Sequence, residues 1–249
     1  MHSRIDSQIE TKMSNEFFKF KQFTVYHDRC AMKVGTDGVL LGAWAPGGRR
    51  ILDIGTGTGL IALMMAQRFS GSEIDAVEID ADAVSQAEEN VRAAGFDNKI
   101  NIFHAPLHDF TCLHNDVKCR YDCIVSNPPF YTEDTECPES RRHAARHTDS
   151  LSYRELFGCA AQLLADKGTF TIIIPMEAKE KIIFEACLAK MFVKNVCLIK
   201  TTPRKPFKRV MMSFTNVHPE ESLTEEHCLM NADGSRSEWY EGVTGDFYL

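Results

Sequence analysis

Several features that define other classes of protein are missing from this sequence of 249 residues. It contains no apolar run of about 18 residues, which excludes an ordinary transmembrane helix. Its first residues, Met1–Asp6, lack the apolar core of a signal peptide. The sequence also has no internal repeat and no low-complexity segment. These absences predict a cytoplasmic protein with no membrane partner, and we expect a monomer.

The chain has nine cysteines, but it lacks the spacing patterns that are typical of metal-binding or disulfide-bonded cysteines. No C-x-x-C pair is present, so the His and Cys residues between His108 and Cys123 do not match a zinc motif. The cysteine count is odd, and Cys187 and Cys197 lie inside apolar runs. We therefore predict reduced thiols and no metal site.

Acidic residues outnumber basic ones, and the net charge of −7 at first argues against a nucleic-acid partner. From Asn216 onward, however, eight acidic residues accompany one arginine, so the preceding part of the chain is neutral overall. Two basic stretches lie within that neutral part. Their arginines and lysines are Arg141, Arg142 and Arg146 in the first, and Arg204, Lys205, Lys208 and Arg209 in the second. Such a stretch is usually a solvated loop, but two beside one site would bind RNA phosphates.

Strands and helices alternate through the centre of the chain, as is typical of a parallel sheet with helical crossovers. Strands are predicted at 51–53, 74–78, 100–103, 121–126, 169–174, 196–201 and 209–217, and helices at 60–69, 81–94, 151–166 and 176–191. The last two strands are expected to pair antiparallel as an edge hairpin. The predicted fold class is α/β and Rossmann-like: a mostly parallel seven-stranded sheet with an antiparallel edge strand and helices on both faces.

The N-terminal part has a different pattern. Residues 1–16 are polar, and we expect them to be disordered. Residues 17–26 partly alternate apolar and polar side chains, which indicates an edge strand or a short hairpin. A turn is predicted at 33–38, before an apolar segment at 39–44. We expect residues 17–249 to form one domain with an N-terminal extension at 17–50.

A glycine-rich loop follows the first core strand. Asp53 ends that strand, and Gly55, Gly57 and Gly59 precede a predicted helix. Glycine allows tight turns and close approach of a ligand to the backbone. A dinucleotide fingerprint needs its third glycine where this chain has Leu60, which disfavours an oxidoreductase. The pattern D-x-G-x-G-x-G resembles the S-adenosylmethionine loop of class I methyltransferases.

Acidic residues after the next two strands complete a predicted cofactor site. Glu78 ends the second strand, about 20 residues past the glycine loop, where a carboxylate can accept hydrogen bonds from ribose hydroxyls. Asp80 is better placed as the N-cap of the helix that begins at Ala81. Asp109, after the third strand, either contacts the adenine amino group of the cofactor or is a surface turn residue. Because parallel strands end at one edge of a sheet, these loops are expected to converge.

The predicted catalytic loop consists of Asn127, Pro128, Pro129 and Phe130. Two successive prolines stiffen the loop after a buried strand. The Asn127 side-chain oxygen and the Pro128 carbonyl can then accept the hydrogens of a planar amino group, and Phe130 can stack on its base, worth about 1–3 kcal/mol. A base inside a helix is unreachable, so the target must be single-stranded or flipped out. For the prolines alone, an ordinary turn is the alternative.

These motifs, together with segments 20–23, 32–44, 126–131, 145–147 and 246–249, resemble the bacterial tRNA1(Val) adenine-N6 methyltransferase family. The resemblance runs from about Phe17 to the C-terminus. It implies a class I methyltransferase fold, S-adenosyl-L-methionine as cofactor, tRNA as partner, and methylation of the adenine next to the anticodon. It also implies that Thr36 and Asp37 border the cofactor pocket. Many family members have an aspartate where this chain has Ala105–Pro106, which leaves the adenine contact open.

Three alternatives use the same features. Protein glutamine N5-methyltransferases share the Asn-Pro-Pro-aromatic loop, but they usually have Tyr at the position of Phe130 and a helical N-terminal domain. The residues before Asp53 leave too little room for such a domain. A ribosomal-RNA base amino-methyltransferase is a second alternative. The third alternative is a non-catalytic RNA-binding protein that has kept the methyltransferase fold. The intact glycine loop and Asn127 disfavour this alternative.

Overall fold

The computed structural model describes residues 16–114, 120–129 and 151–249, in which the strands form two sheets. In chain order the strands are β1 (Phe17–Lys19), β2 (Thr24–Tyr26), β3 (Arg50–Ile54), β4 (Glu73–Glu78), β5 (Ile100–His104), β6 (Tyr121–Ser126), β7 (Leu164–Pro175), β8 (Phe192–Lys200), β9 (Phe207–Thr215) and β10 (Leu223–Cys228). β1 and β2 form an antiparallel hairpin, as one of the two predictions for this segment required. The predicted disorder of residues 1–16 lies outside the described residues, apart from Glu16.

The large sheet has the strand order β10-β8-β9-β7-β6-β3-β4-β5. Among these eight strands, β9 alone runs antiparallel to its neighbours, β7 and β8. The remaining pairs are parallel. The mostly parallel α/β sheet predicted from the alternating pattern is therefore confirmed.

Helices cover both faces of this sheet. They are α1 (Thr36–Trp44), α2 (Leu60–Arg68), α3 (Ala81–Ala94), α4 (Leu107–His114), α5 (Tyr153–Leu163), α6 (Lys179–Leu188) and α7 (Glu238–Thr244). Buried side chains of α1 and α2 form one apolar cluster that includes Leu41 and Leu63. Those of α4, α5 and α6 form a second cluster around Phe110 and Phe157. In the described ranges, no helix is both long and apolar enough to cross a membrane.

The prediction of seven strands ending in an edge hairpin is wrong in one respect. β10 pairs with β8 in parallel and adds an eighth strand, so the antiparallel pair of β8 and β9 lies inside the sheet. The sequence of β10, Leu-Thr-Glu-Glu-His-Cys, has no apolar run, and none of its side chains is fully buried in the sheet. An edge strand of this kind lacks the signal by which buried strands are predicted.

The helices also differ from their predicted bounds. α1 begins at Thr36, where a turn was predicted, and includes Gly42. A Cβ at Gly42 would lie 2.8 Å from the Met64 sulfur, so the glycine that weakens the helical pattern also allows α1 to pack on α2. α4, which was not predicted, contains Asp109. α5 ends at Leu163 because Leu164 begins β7, and a short 3₁₀ turn at Met176–Ala178 precedes α6.

The strand order reverses between β3 and β6, which creates the crevice where ligands bind in open α/β sheets. Ile54 at the end of β3 pairs with Ser126 at the end of β6. The Ser126 hydroxyl donates a 2.8 Å hydrogen bond to the Ile54 carbonyl. The residues that follow these two strands, Gly55 and Asn127, therefore start from adjacent positions at one edge of the sheet.

Candidate active site

The glycine loop between β3 and α2 has an open inner surface. Gly55, Gly57 and Gly59 have φ values of 70°, 55° and 80°, which other residues rarely adopt. A Cβ built on Gly55 or Gly57 would meet no atom within 4 Å, whereas one on Gly59 would lie 3.4 Å from Ala87 of α3. The first two glycines therefore leave open space along the loop, here called the glycine cradle, and the third allows α2 and α3 to approach.

Glu78 at the end of β4 supports this loop. Its Oε2 accepts a 2.9 Å hydrogen bond from the Gly57 amide, and its Oε1 accepts bonds from the amides of Ile79 and Asp80. Because a carboxylate oxygen can accept two hydrogen bonds, Oε2 keeps capacity for one more donor. Asp80 caps α3 as predicted, since its Oδ1 accepts a 2.8 Å hydrogen bond from the Ala83 amide. Glu78 therefore braces the cradle and can also serve as a ligand acceptor.

Asp53 lies beneath the same loop and is fully buried. Its Oδ2 accepts hydrogen bonds from the Thr56 hydroxyl at 2.6 Å and from the Ala62 amide at 3.2 Å. Its Oδ1 is also buried, and it has no partner in the described part of the chain. Burial raises the pKa of Asp53 to about 7, and nearby Glu78 adds to the increase, while the two hydrogen bonds oppose it. A cation in the cradle would favour the charged form of this carboxyl group.

Asn127 follows β6 and presents an unused acceptor. Its side-chain oxygen is buried and has no hydrogen-bond partner among the described residues. Its amide nitrogen lies 3.8 Å from the Met32 sulfur. Pro128 is buried and Pro129 is exposed. Because orphan buried acceptors are rare, the Asn127 oxygen points to a partner that arrives with a ligand. The role predicted for Phe130 lies outside the described residues.

The segment between β2 and α1 passes over this crevice, which sequence reasoning did not predict. Buried Asn90 of α3 holds its start: the side chain donates to the carbonyls of Tyr26 and Thr58 and accepts from the Tyr26 amide, each at 2.9 Å. Further on, burial raises the pKa of Cys30 to about 11, and the nearby Glu78 carboxylate contributes next. The segment therefore runs from the glycine loop past Glu78 to Asn127, where Met32 makes its contact.

A signal for this arrangement was present in the sequence. Asn90 lies seven residues after Ala83 and three after Ala87, on the face of α3 that the alanines and valines place toward the core. A polar side chain on a buried face needs hydrogen-bond partners. The sequence could have identified Asn90 as an anchor, but not the residues that it anchors.

Comparison with known proteins identifies the family. Residues 34–203 match the family model described as "Methyltransferase small domain". The chain is 47% identical over 240 residues to the tRNA1(Val) (adenine(37)-N6)-methyltransferase of Bacteroides fragilis, with 95% of this chain and 99% of the relative covered. The chain belongs to the tRNA1(Val) (adenine(37)-N6)-methyltransferase family.

Other comparisons agree with this assignment. The protein of the same name from Klebsiella pneumoniae is 38% identical over 246 residues, which cover 98% of this chain and 99% of that protein. A solved structure of a predicted O-methyltransferase from Agrobacterium tumefaciens covers 85% of this chain and 96% of its own, with a TM-score of 0.62 at 15% identity. That likeness supports the Rossmann-like methyltransferase fold alone. The resemblance predicted from the motifs, and the assignment to a methyltransferase enzyme, are confirmed.

Three further residues predicted at the cofactor pocket, Thr36 and Asp37 from the family resemblance and Asp109 from its place after the third strand, lie at the starts of two helices. Thr36 and Asp37 form the first turn of α1, and Thr36 is exposed. The Asp37 carboxylate accepts a 2.7 Å hydrogen bond from Nε of Arg209, which lies in β9. Asp109 is exposed in the first turn of α4 rather than in a surface turn. The cofactor contacts predicted for these three residues stay predictions.

The second basic stretch lies at the same edge of the sheet as the methyltransferase crevice. Residues 201–206 join the carboxyl end of β8 to the start of β9, at the edge of the sheet where the glycine loop lies. Arg204, Lys205 and Lys208 are exposed there, and Arg209 is held by Asp37. The first stretch, with Arg141, Arg142 and Arg146, lies outside the described residues. Every cysteine in the described ranges is a free thiol.

Proposed function

We propose that this enzyme transfers the methyl group of S-adenosyl-L-methionine to N6 of adenine 37 in tRNA1(Val). Relatives that carry this activity in their names are 38–47% identical to the chain over nearly its full length. The structural observation that carries the proposal is the buried side-chain oxygen of Asn127, which has no hydrogen-bond partner among the described residues, beside an open glycine cradle. This oxygen can accept a hydrogen from an exocyclic amino group.

The residues of the crevice fit S-adenosylmethionine, which would supply an electrophilic methyl group on a positively charged sulfur. Gly55 and Gly57 leave room along the cradle. Oε2 of Glu78 has capacity for a ribose hydroxyl, while its bond to the Gly57 amide keeps it in place. Oδ1 of Asp53, which is buried without a partner among the described residues, belongs to a carboxyl group beneath the loop whose negative charge would favour a positively charged cofactor.

Asn127 and Pro128 act on the nucleophile. The amino group of adenine is conjugated with its ring and is therefore a poor nucleophile. Two acceptors aimed at its hydrogens, the Asn127 oxygen and the Pro128 carbonyl, would favour the pyramidal geometry in which the nitrogen lone pair is available. The prolines keep both acceptors in place, so catalysis here is positioning and preorganised electrostatics.

The basic loop supplies the affinity for RNA in this proposal. Exposed Arg204, Lys205 and Lys208 lie at the same edge of the sheet as the cradle, where they can contact phosphates while the target base is flipped into the crevice. Binding of this kind weakens with increasing salt, because phosphate contacts release counterions.

The test is the Asn127→Ala variant in a methylation assay with purified tRNA1(Val). Loss of one acceptor should lower kcat by about 10²–10³-fold, as removal of a single preorganised hydrogen-bonding group does elsewhere. Cofactor affinity, measured by calorimetry, should stay within about twofold, because the Asn127 oxygen faces the acceptor base. If cofactor binding is lost with activity, Asn127 holds the loop and is not catalytic.

A further inference from the structure

The edge of the sheet farthest from β5 contains a group of three potential metal ligands. Cys197 on β8 is paired in register with Glu225 on β10, and His227 lies two residues further along β10. Since side chains alternate across a strand, Glu225 and His227 point to the same face. The Cys197 sulfur, a Glu225 oxygen and a His227 nitrogen all lie within 4.8 Å of one another. β9 and β7 separate these strands from β6, so the group is distinct from the active site.

The distances within the group suit a tetrahedral ion. Nε2 of His227 lies 3.3 Å from Oε2 of Glu225. Two such ligands at about 2.0–2.1 Å from a tetrahedral zinc ion are roughly 3.3 Å apart. A zinc-bound sulfur lies roughly 3.5 Å from a nitrogen ligand, so Cys197, at 4.8 Å or less, needs to move by no more than about 1.3 Å.

The surroundings hold the ligands and leave access for an ion. The His227 ring stacks on Trp239 of α7, with centroids 4.3 Å apart and planes inclined by 4°, which fixes the direction of Nε2. Cys197 is fully buried, while Glu225 and His227 are half-buried. Of the three ligands, Glu225 lines a crevice of about 180 Å³ next to Trp44, which offers an ion access from the side of Glu225. Lys194 lines the same crevice.

We propose that Cys197, Glu225 and His227 bind a zinc ion whose fourth position opens to this crevice. Thiolate, imidazole and carboxylate are the ligands that zinc takes in proteins. Binding converts the Cys197 thiol to a thiolate, and its proton is released to solvent. The ion joins β10 to β8 and stabilises this edge of the sheet. No sequence motif marks the site because its ligands lie on two strands brought together by the fold.

Cobalt titration of the full-length protein, after treatment with a chelator, tests this inference. Cobalt(II) bound to a thiolate gives an intense charge-transfer absorption, and zinc should displace the ion and abolish the band. The band should be lost in Cys197→Ala. It should require at least about tenfold more cobalt in His227→Phe, which keeps the stacking on Trp239 but removes a ligand. Cys159→Ala removes a buried cysteine from the other face and should leave the band unchanged.

The proposal is overturned if the unmodified protein shows no thiolate band, or if the band persists in Cys197→Ala. A loss in Cys159→Ala that equals the loss in Cys197→Ala also overturns it, since the metal would then lie elsewhere. Should Cys197→Ala fail to fold, Glu225→Gln at the exposed edge replaces it, and a cobalt affinity equal to that of the unmodified protein contradicts the site. The readout needs no methyltransferase activity, so its outcome is independent of the proposed reaction.

Discussion

Asn90 should link the stability of the N-terminal extension to cofactor binding. Its buried side chain makes three hydrogen bonds of 2.9 Å, two to Tyr26 and one to the Thr58 carbonyl in the glycine loop. Asn90→Leu keeps the branched shape of the side chain and removes all three bonds. Each such bond contributes about 0.5–1.5 kcal/mol net. We therefore expect the free energy of unfolding to fall by about 2–4 kcal/mol.

Cofactor affinity should fall in the same variant, because the segment that crosses the crevice and the loop beneath it lose their shared anchor. We expect a loss of about tenfold, equivalent to roughly 1.4 kcal/mol. Urea unfolding and calorimetry with S-adenosylmethionine measure the two effects.

Gln86→Leu provides the matched control on the same face of α3. Gln86 is buried and accepts one long hydrogen bond, 3.4 Å, from the Arg29 amide, whereas Asn90 also binds the Thr58 carbonyl of the glycine loop. The Gln86→Leu substitution should lower the free energy of unfolding by about 1 kcal/mol and leave cofactor affinity nearly unchanged. Unchanged stability and affinity in Asn90→Leu, or equal losses of affinity in both variants, would refute the anchoring role.

Three other predictions concern the loop, the ion pair and the buried acid. Gly57→Ala should lower the free energy of unfolding by about 1–2 kcal/mol, because φ is 55° at this position. The added methyl group should also weaken cofactor binding by filling the cradle. An unchanged cofactor affinity in calorimetry would argue against the cradle. Asp37→Arg and Arg209→Asp should each weaken tRNA binding, and the double variant should recover about 1 kcal/mol of the binding free energy. Strictly additive losses in a filter-binding assay would show that the pair does not position the basic loop. The pKa of Asp53 in the folded protein, about 7, exceeds its ordinary value of 3.8. The native state therefore keeps this proton to a higher pH than the unfolded state does. Stability should decrease as the pH rises from 3.8 to about 7 and then level off. In Asp53→Asn this part of the pH dependence should vanish from urea unfolding; a slope equal to that of the unmodified protein would assign it to other groups.

The sequence predicted best what depends on local pattern. The core strands β3 to β6 were found within one residue because they are apolar runs between turn residues. The Asp80 cap and the ending of α3 at Gly95, which has a φ of 73°, followed from short-range chemistry. The placement of Gly55 beside Asn127 followed from the rule that parallel strands end at one edge.

What the sequence could not predict depends on contacts between distant segments. Asp37 and Arg209 are separated by 172 positions, and their pairing joins a predicted cofactor residue to a predicted RNA-binding one. The local sequence around either residue does not predict its partner. β10 was missed because an edge strand with half-exposed side chains has no apolar run. α1 was missed because the glycines that allow its packing on α2 weaken its helical pattern.

The central claim is tested most directly by mass spectrometry of the nucleosides of purified tRNA1(Val) from cells that lack this gene. N6-methyladenosine should disappear from position 37 and return when the gene is restored, but not when the Asn127→Ala form is supplied. Retention of N6-methyladenosine at that position without the gene would contradict the account.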